Sequence, residues 1–406
     1  MKPSTYAWTI VAVLWPVALL NYLDRQMMAN MKFSIMADIP GIGLEQNWGL
    51  LLGAFKWVYA GLSPFTGYIA DRLDRRAIIA ASLFVWSAVT WMTGHAHTFN
   101  EMLLARGLMG VSEAFYIPAA LALIAEIHSD RTRSRAVGIH QTGIYFGIIL
   151  GGFSGYVAEE PNLGWRSAFT ACGIIGALYA IPLLLFLRRA AVLPSKQIGD
   201  SPPAPLKMLT HLFRNTSFLL LVLYFTLPAL AGWIVKDWMP AILKQRFNIG
   251  QGSAGVSATL YVNIAIIIGG LAGGWLADRW MHRNQRGRIL TSALGMALIA
   301  PALLGIGLGQ SLGIAVAFLI LFGLGWGCFD TNNMPILSQI TRPEIRATAY
   351  GLMNFVSISC GGFADWAFGA LRDRSVPLPM IFALFASAAG ISIVLVLSIK
   401  LRPLKS

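Results

Sequence analysis

Residues 67–76 read GYIADRLDRR, and residues 274–279 read GWLADR. Each string closes an apolar run of membrane-crossing length, the second such run in its half of the chain. Two further pairs recur in the same order. Gly110-x-x-Glu113-x-x-x-x-Pro118 returns as Gly327-x-x-Asp330-x-x-x-x-Pro335, and Gly151-Gly152 returns as Gly361-Gly362. One such pair is chance. Three in order point to a duplicated unit, and a duplication of spans implies a substrate site near the midplane, between the halves.

The surrounding composition fits that reading. Of 406 residues, 56% are apolar and 12% charged, about half the charge of a soluble domain. A spanning helix needs roughly 20 mostly apolar residues. Such runs are predicted at 7–30, 47–70, 77–95, 101–127, 134–158, 165–187, 216–242, 253–278, 289–309, 311–339, 345–371 and 377–399. The predicted fold class is an all-α membrane protein, with twelve transmembrane helices in two pseudo-symmetric six-helix bundles. The expected organisation is a first bundle at 1–187, a Pro/Ser/Lys-containing cytoplasmic linker at 188–215, and a second bundle at 216–406. Residues 1–25 begin like a signal peptide but lack a small-x-small pattern before Asn21, so they are read as a retained first span.

Charge orients the chain. With the N-terminus inside, 21 of the 31 Lys and Arg fall in inner segments and 6 in outer ones. That bias predicts two cytoplasmic termini. The net charge of +13 is therefore spread over loops, and nucleic acid is not an expected partner. The three cysteines lie in apolar stretches without CxxC spacing, and no HExxH or P-loop string occurs. Neither a metal nor another cofactor is expected, and enzymes and ATP-driven pumps are excluded as readings.

Arg25, Lys56, Arg106 and Lys236 are the cations inside predicted spans, where function is to be sought. A guanidinium at membrane depth costs at least ~2.5–3.5 kcal/mol on insertion scales and cannot shed its proton. Arg25 therefore needs Asp24, Glu113 or an anionic ligand beside it, and its planar fork suits a carboxylate. Asp24 and Glu113 either carry protons or only neutralise Arg25 and Arg106. Arg106, Gly110 and Glu113 share one helix face, so Arg106 either holds Glu113 ionised or is a fixed structural partner. Gly110 favours close helix packing. Lys56 either attracts an anion or snorkels to the surface. Lys236 and Asp237 are an outer-gate element or an interfacial pair. Trp48, Trp57, Trp233 and Trp238 read as interface anchors.

These strings resemble the major facilitator superfamily, whose loop signature appears here as Gly67-Tyr-Ile-Ala-Asp71-Arg72-Leu-Asp74-Arg75-Arg76, with Asp74 where the family usually has Gly. Arg106-Gly-Leu-Met-Gly110 matches the fourth-helix pattern. Asn21-Tyr22-Leu23-Asp24-Arg25, with Arg106 and Glu113, is similar first to the anion:cation symporter family; Spinster-like lysolipid and sphingolipid transporters, which share a similar N-Y-x-D-R and G-x-x-E-A, are the second resemblance. The first resemblance implies that Arg25 binds a substrate carboxylate and that Asp24 and Glu113 carry protons.

Tyr22, Lys56, His140, Gln141, Asn263, Asn332 and Asn354 join Arg25 as candidate substrate contacts, each with a packing role as its alternative. Asp24, Glu113 and Arg106 form the candidate proton-coupling group. Asp71, Arg72, Arg75, Arg133, Asp278 and Arg279 are candidate inner-gate residues, which positive-inside bias explains equally well. The expected activity is proton-coupled symport of a small organic anion, such as a sugar acid, by alternating access. The alternative is transport of lysolipids. Expected partners are the small anion, protons and the bilayer; a monomer in a bacterial inner membrane is expected.

Overall fold

The computed structural model describes residues 3–189, 210, 212–342 and 345–401. Most of the expected 188–215 linker lies outside them. Helix dominates: α1 (Pro3–Asn30), α2 (Lys32–Asp38), a 3-10 turn (Pro40–Ile42), α3 (Glu45–Arg72), α4 (Arg75–Gly94), α5 (Phe99–Glu113), α6 (Tyr116–Ile127), α7 (Asp130–Glu159) and α8 (Gly164–Arg189). After the linker come α9 (Thr216–Phe247), α10 (Gln251–Met281), α11 (Gly287–Leu308), α12 (Leu312–Ile340), α13 (Arg346–Asp373) and α14 (Leu378–Leu397).

Among the described residues, twelve spans result once α5 and α6 are counted together and the short α2 is set aside. Ten are long and apolar enough to cross a bilayer by hydropathy alone. The remaining two, α3 and α13, are each 28 residues long and carry Lys56 and Asp365 in their interiors. Apolar side chains also face outward, as at Leu271, Met380 and Leu384, all about two-thirds exposed or more. Such a surface suits acyl chains rather than water.

The fourth span is one run in the sequence but two helices in the structure. Pro118 has no N–H to give the Ala114 carbonyl, so the helix breaks directly after Glu113. Its repeat mate, Pro335, stays inside an unbroken α12. Asp74, the departure from the family's Gly, caps α4, its Oδ1 accepting from the Arg76 N–H at 3.0 Å.

The chain forms two compact units. The first comprises residues 1–192, 236–260 and 362–373; the second comprises 193–235, 261–361 and 374–406. Helices α9, α10 and α13 therefore each run from one unit into the other. In the first unit α1 packs on α7, α4 on α8 and α3 on α5, around a core that includes Ile10, Leu14, Trp86, Tyr116 and Leu123. In the second unit α11 packs on α12 and α14.

The repeated glycines do matching work. A Cβ on Gly110 would strike the α3 backbone at Phe55 and Tyr59; one on Gly327 would strike α10 at Ile266 and Gly270. Gly151 lies against Gln26 of α1, and Gly361 against Trp233 of α9. Gly152 meets Thr259 of α10, and Gly362 meets Trp57 of α3. Each repeat glycine thus seats one helix against a neighbour that its mate also has by repeat.

One end of the first unit is fastened by helix termini capped from elsewhere in the chain. The Asp373 carboxylate accepts from the backbone N–H of Glu45 (2.9 Å) and Gln46 (2.8 Å), at the start of α3. Glu159 accepts from Gln251 N–H at 2.6 Å, at the start of α10. Gln251 in turn accepts from Phe33 N–H at 3.0 Å, at the start of α2. An acid at a helix N-terminus satisfies orphan donors and the dipole together. Lys32 pairs with Glu45 here; burial pushes its pKa down, and Glu45 opposes that shift.

Candidate functional site

The first unit holds a group of buried charges drawn from α1, α3, α5, α9 and α13. Arg25 lies in α1 and donates from Nε to Oε2 of Glu113. Of the two acids that the sequence offers, Glu113 is the one that pairs with Arg25. Helix α5 can deliver that carboxylate because Gly110 lets it close on α3. Three rings surround the guanidinium: Tyr22 and Phe55 at 4.8 Å and Tyr59 at 5.1 Å. Phe55 and Tyr59 are one helical turn apart on α3, so both face the same point. Rings at such distances stabilise a desolvated cation by up to about 2 kcal/mol or more.

The cage leaves polar capacity unused. Arg25 Nη2 and Glu113 Oε1 are both buried and lack a hydrogen-bond partner. Asp24 is buried beside them in sequence, its Oδ2 accepting from Thr90 Oγ1 at 3.0 Å and its Oδ1 unpartnered. Unused donors and acceptors at this depth are costly unless something fills them.

Arg106 does not hold Glu113. Its Nε donates to the Leu51 carbonyl at 3.3 Å, its Nη1 to Met109 Sδ at 3.4 Å, and its guanidinium lies 4.7 Å from the Phe55 ring. Phe55 is therefore shared between Arg25 and Arg106. Arg106 thus has packing partners of its own, while its charge and that of Glu113 still act on each other.

Lys56 does not snorkel: it is 3% exposed. Its ammonium pairs with Asp237 of α9 at 2.5 Å and with Asp365 of α13. Trp238 Nε1 donates to Asp365 Oδ1 at 3.1 Å. The Lys236 ammonium lies 5.1 Å from the Tyr22 ring, and Gln26 donates to the Lys236 carbonyl at 3.2 Å. Trp48 and Trp238 are fully buried rather than interfacial, because Trp238 serves Asp365.

The structure thus brings together Tyr22, Asp24, Arg25, Lys56, Arg106 and Glu113. His140 is elsewhere in the core, hydrogen-bonded through Nε2 to Tyr116 Oη at 2.9 Å, a packing role. Gln141 is exposed. Asn263, Asn332 and Asn354 belong to the second unit. Asn332 donates to its own helix at Cys328 O (2.9 Å), Asn263 is buried and Asn354 half-buried. Among the loop residues, Arg75 pairs with Glu126 at 2.9 Å. Arg133 donates to the Ala125 and His128 carbonyls at 3.1 and 3.5 Å, closing the end of α6. Asp278 is exposed, and Arg279 lies 5.6 Å from the Trp275 ring. The side chains of Asp71 and Arg72 lie outside the described residues.

Sequence reading missed Asp365, Phe55 and Tyr59. Asp365 carried a usable signal, since it is the sole acid inside the predicted 345–371 span and an intramembrane acid marks a site by default. The two aromatics carried none; their role comes from Arg25 of α1 lying over both rings and Arg106 of α5 over Phe55. Among the described residues no group of His, Cys, Asp and Glu could hold a metal ion.

Residues 14–364 match the family model described as Major Facilitator Superfamily. The chain is 30% identical to human protein spinster homolog 1 over 394 residues, covering 90% of this chain and 73% of that protein. It is 24% identical to a probable L-galactonate transporter of Escherichia coli over 403 residues, covering 94% and 87%. Its fold superposes on a bacterial homologue of the human lysosomal transporter Spinster with a TM-score of 0.78 at 20% identity, covering 98% and 95%. A D-xylose–proton symporter gives 0.77 at 17% identity, covering 97% and 98%.

Proposed function

The chain belongs to the Major Facilitator Superfamily and is a multi-pass membrane transporter, not an enzyme; from that premise we propose that it carries a small organic anion together with protons. The observation that carries this reading is the buried, unpartnered Nη2 of Arg25 in its ring cage. A carboxylate brings two oxygens in the geometry of the guanidinium fork. It takes Nη2 and displaces Glu113 from Nε. Glu113 then loses its cation while still buried, and a proton is the substitute that avoids an isolated charge. Binding of the anion and protonation of Glu113 are thereby linked. Asp24, buried with only the Thr90 hydroxyl as partner, supports a second protonation for the same reason.

Transport proceeds by alternating access, and a sugar acid is the substrate class favoured by the likeness to the probable L-galactonate transporter. Positive-inside bias supports an orientation with both termini cytoplasmic. A monomer suffices, since every group invoked comes from one chain.

A second reading is transport of an amphipathic anion, with its head on Arg25. The higher identity to spinster homolog 1 and the aromatic wall around Arg25 favour it. Purified protein in proteoliposomes decides between them. An imposed proton gradient is expected to drive accumulation of a sugar acid, and Arg25→Ala to abolish binding. If no organic acid accumulates under the gradient, while lysolipids alone raise the melting temperature, the lipid reading replaces the first.

A further inference from the structure

Within this group of buried charges Lys56, Asp237 and Asp365 form their own ion-paired cluster, and no step of anion binding above uses it. We propose that Asp365 and Asp237 form a second proton-binding site whose occupancy is set by Lys56. One ammonium faces two carboxylates here. Asp365 is fully buried, and its polar partners are Lys56 and Trp238 Nε1. Two further charged groups act on the cluster, Arg106 from α5 and Lys236 from α9. Arg106 is engaged by the Leu51 carbonyl and Phe55, and Lys236 lies over Tyr22. Lys56 alone is placed between the two acids.

The three groups ride on different helices. Lys56 belongs to α3, Asp237 to α9 and Asp365 to α13. Helices α3 and α13 meet along a seam of glycines. A Cβ on Gly49 would strike the Asp365 and Trp366 backbone, and one on Gly53 would lie 2.8 Å from the Gly362 carbonyl. Asp365 is fully buried beside that seam, so parting the seam opens the carboxylate to water. Parting carries Lys56 away with α3 and leaves two acids without their shared cation. Two carboxylates so placed cannot both stay ionised at little cost. One therefore takes a proton from solvent and becomes a carboxylic acid, while Lys56 remains an ammonium. Closing the seam returns Lys56 and releases the proton. The site is thus a proton relay keyed to the opening of α3 from α13. It rests on the transporter reading for that opening, and it uses neither Asp24 nor Glu113 as its proton acceptor.

The test uses full-length protein in nanodiscs, with Cys172, Cys328 and Cys360 changed to Ser and spin labels at Leu44→Cys in the loop before α3 and Arg372→Cys in α13. The distance between labels is measured from pH 5 to pH 8.5. The expected result is a short distance at high pH that gives way to a longer one as pH falls. Asp365→Asn should remove this response. Asp237→Asn should shift its midpoint down by about one pH unit, because the neighbouring negative charge that favours protonation is gone. Asp24→Asn/Glu113→Gln should keep the response intact while losing proton-driven uptake. That result separates this site from the anion site. A wild-type distance that ignores pH, an Asp365→Asn or Asp237→Asn midpoint equal to wild type, or loss of the response in Asp24→Asn/Glu113→Gln would overturn the proposal.

Discussion

Replacing Glu113 by Gln tests the linkage between anion and proton directly. In the native protein the Glu113 carboxylate occupies Arg25 Nε, so an incoming anion competes with it. A hydrogen bond to a charged group is worth about 1.5–3 kcal/mol net. Removing the competitor is therefore worth about tenfold to a hundredfold in affinity at pH 8, where protons are scarce. If binding the anion takes up a proton, as proposed, the gap between the two proteins should close as pH falls to 5.5. The variant should show a nearly flat affinity between these pH values. It should also exchange labelled for unlabelled solute yet fail to concentrate it against a gradient. Some stability is lost, since Arg25 keeps only its three rings, and a lower melting temperature is expected. Calorimetric titration of purified protein at both pH values reads the affinity. If Glu113→Gln binds no tighter than native protein at pH 8, or retains the native pH dependence, Glu113 and the anion do not compete for Arg25 and the coupling argument fails.

Asp24→Asn should preserve counterflow while reducing proton-driven accumulation at least tenfold, read by radiolabelled uptake in proteoliposomes; equal loss of both activities would assign Asp24 to folding instead. Gly110→Ala should lower the melting temperature and impair uptake, because its Cβ would lie 2.7 Å from the Phe55 carbonyl. Gly107→Ala, with open space around it, should leave stability unchanged or raise it by up to about 1 kcal/mol. Asp74→Ala should cost about 1 kcal/mol through the lost cap of α4, and Asp74→Gly only a few tenths; equal losses would show that the cap contributes nothing.

The spans and the repeat were legible because bilayer insertion demands long apolar runs, and duplication preserves the glycines that let helices touch. The Arg25 site was legible for a related reason: a permanent charge in an apolar run has to be answered by another group. Its answering group was only narrowed to candidates, since Asp24 is adjacent in sequence while Glu113 is 88 positions away. The break after Glu113 was written in Pro118, but the same spacing at Pro335 leaves α12 whole, so the residue alone does not decide. The partners of Lys56 were out of reach, because pairing at such separations is set by which helices pack together. The inner-gate expectations rested on loop charge, and the structure gives them local helix-end partners at Arg75 and Arg133.

The partners of Lys56 also bear on how the chain is made. Asp237 follows it by 181 residues and Asp365 by 309. At about 5–20 residues per second, the lysine emerges roughly 15–60 s before the second of its carboxylates exists. Until Asp237 is made, roughly 9–36 s after the lysine at that rate, α3 carries a cation that the bilayer resists, and its second carboxylate comes only with Asp365. Stable insertion of the second span is therefore tied to synthesis of the eleventh, and a ribosome stalled between them leaves an unfinished helix for quality control to find.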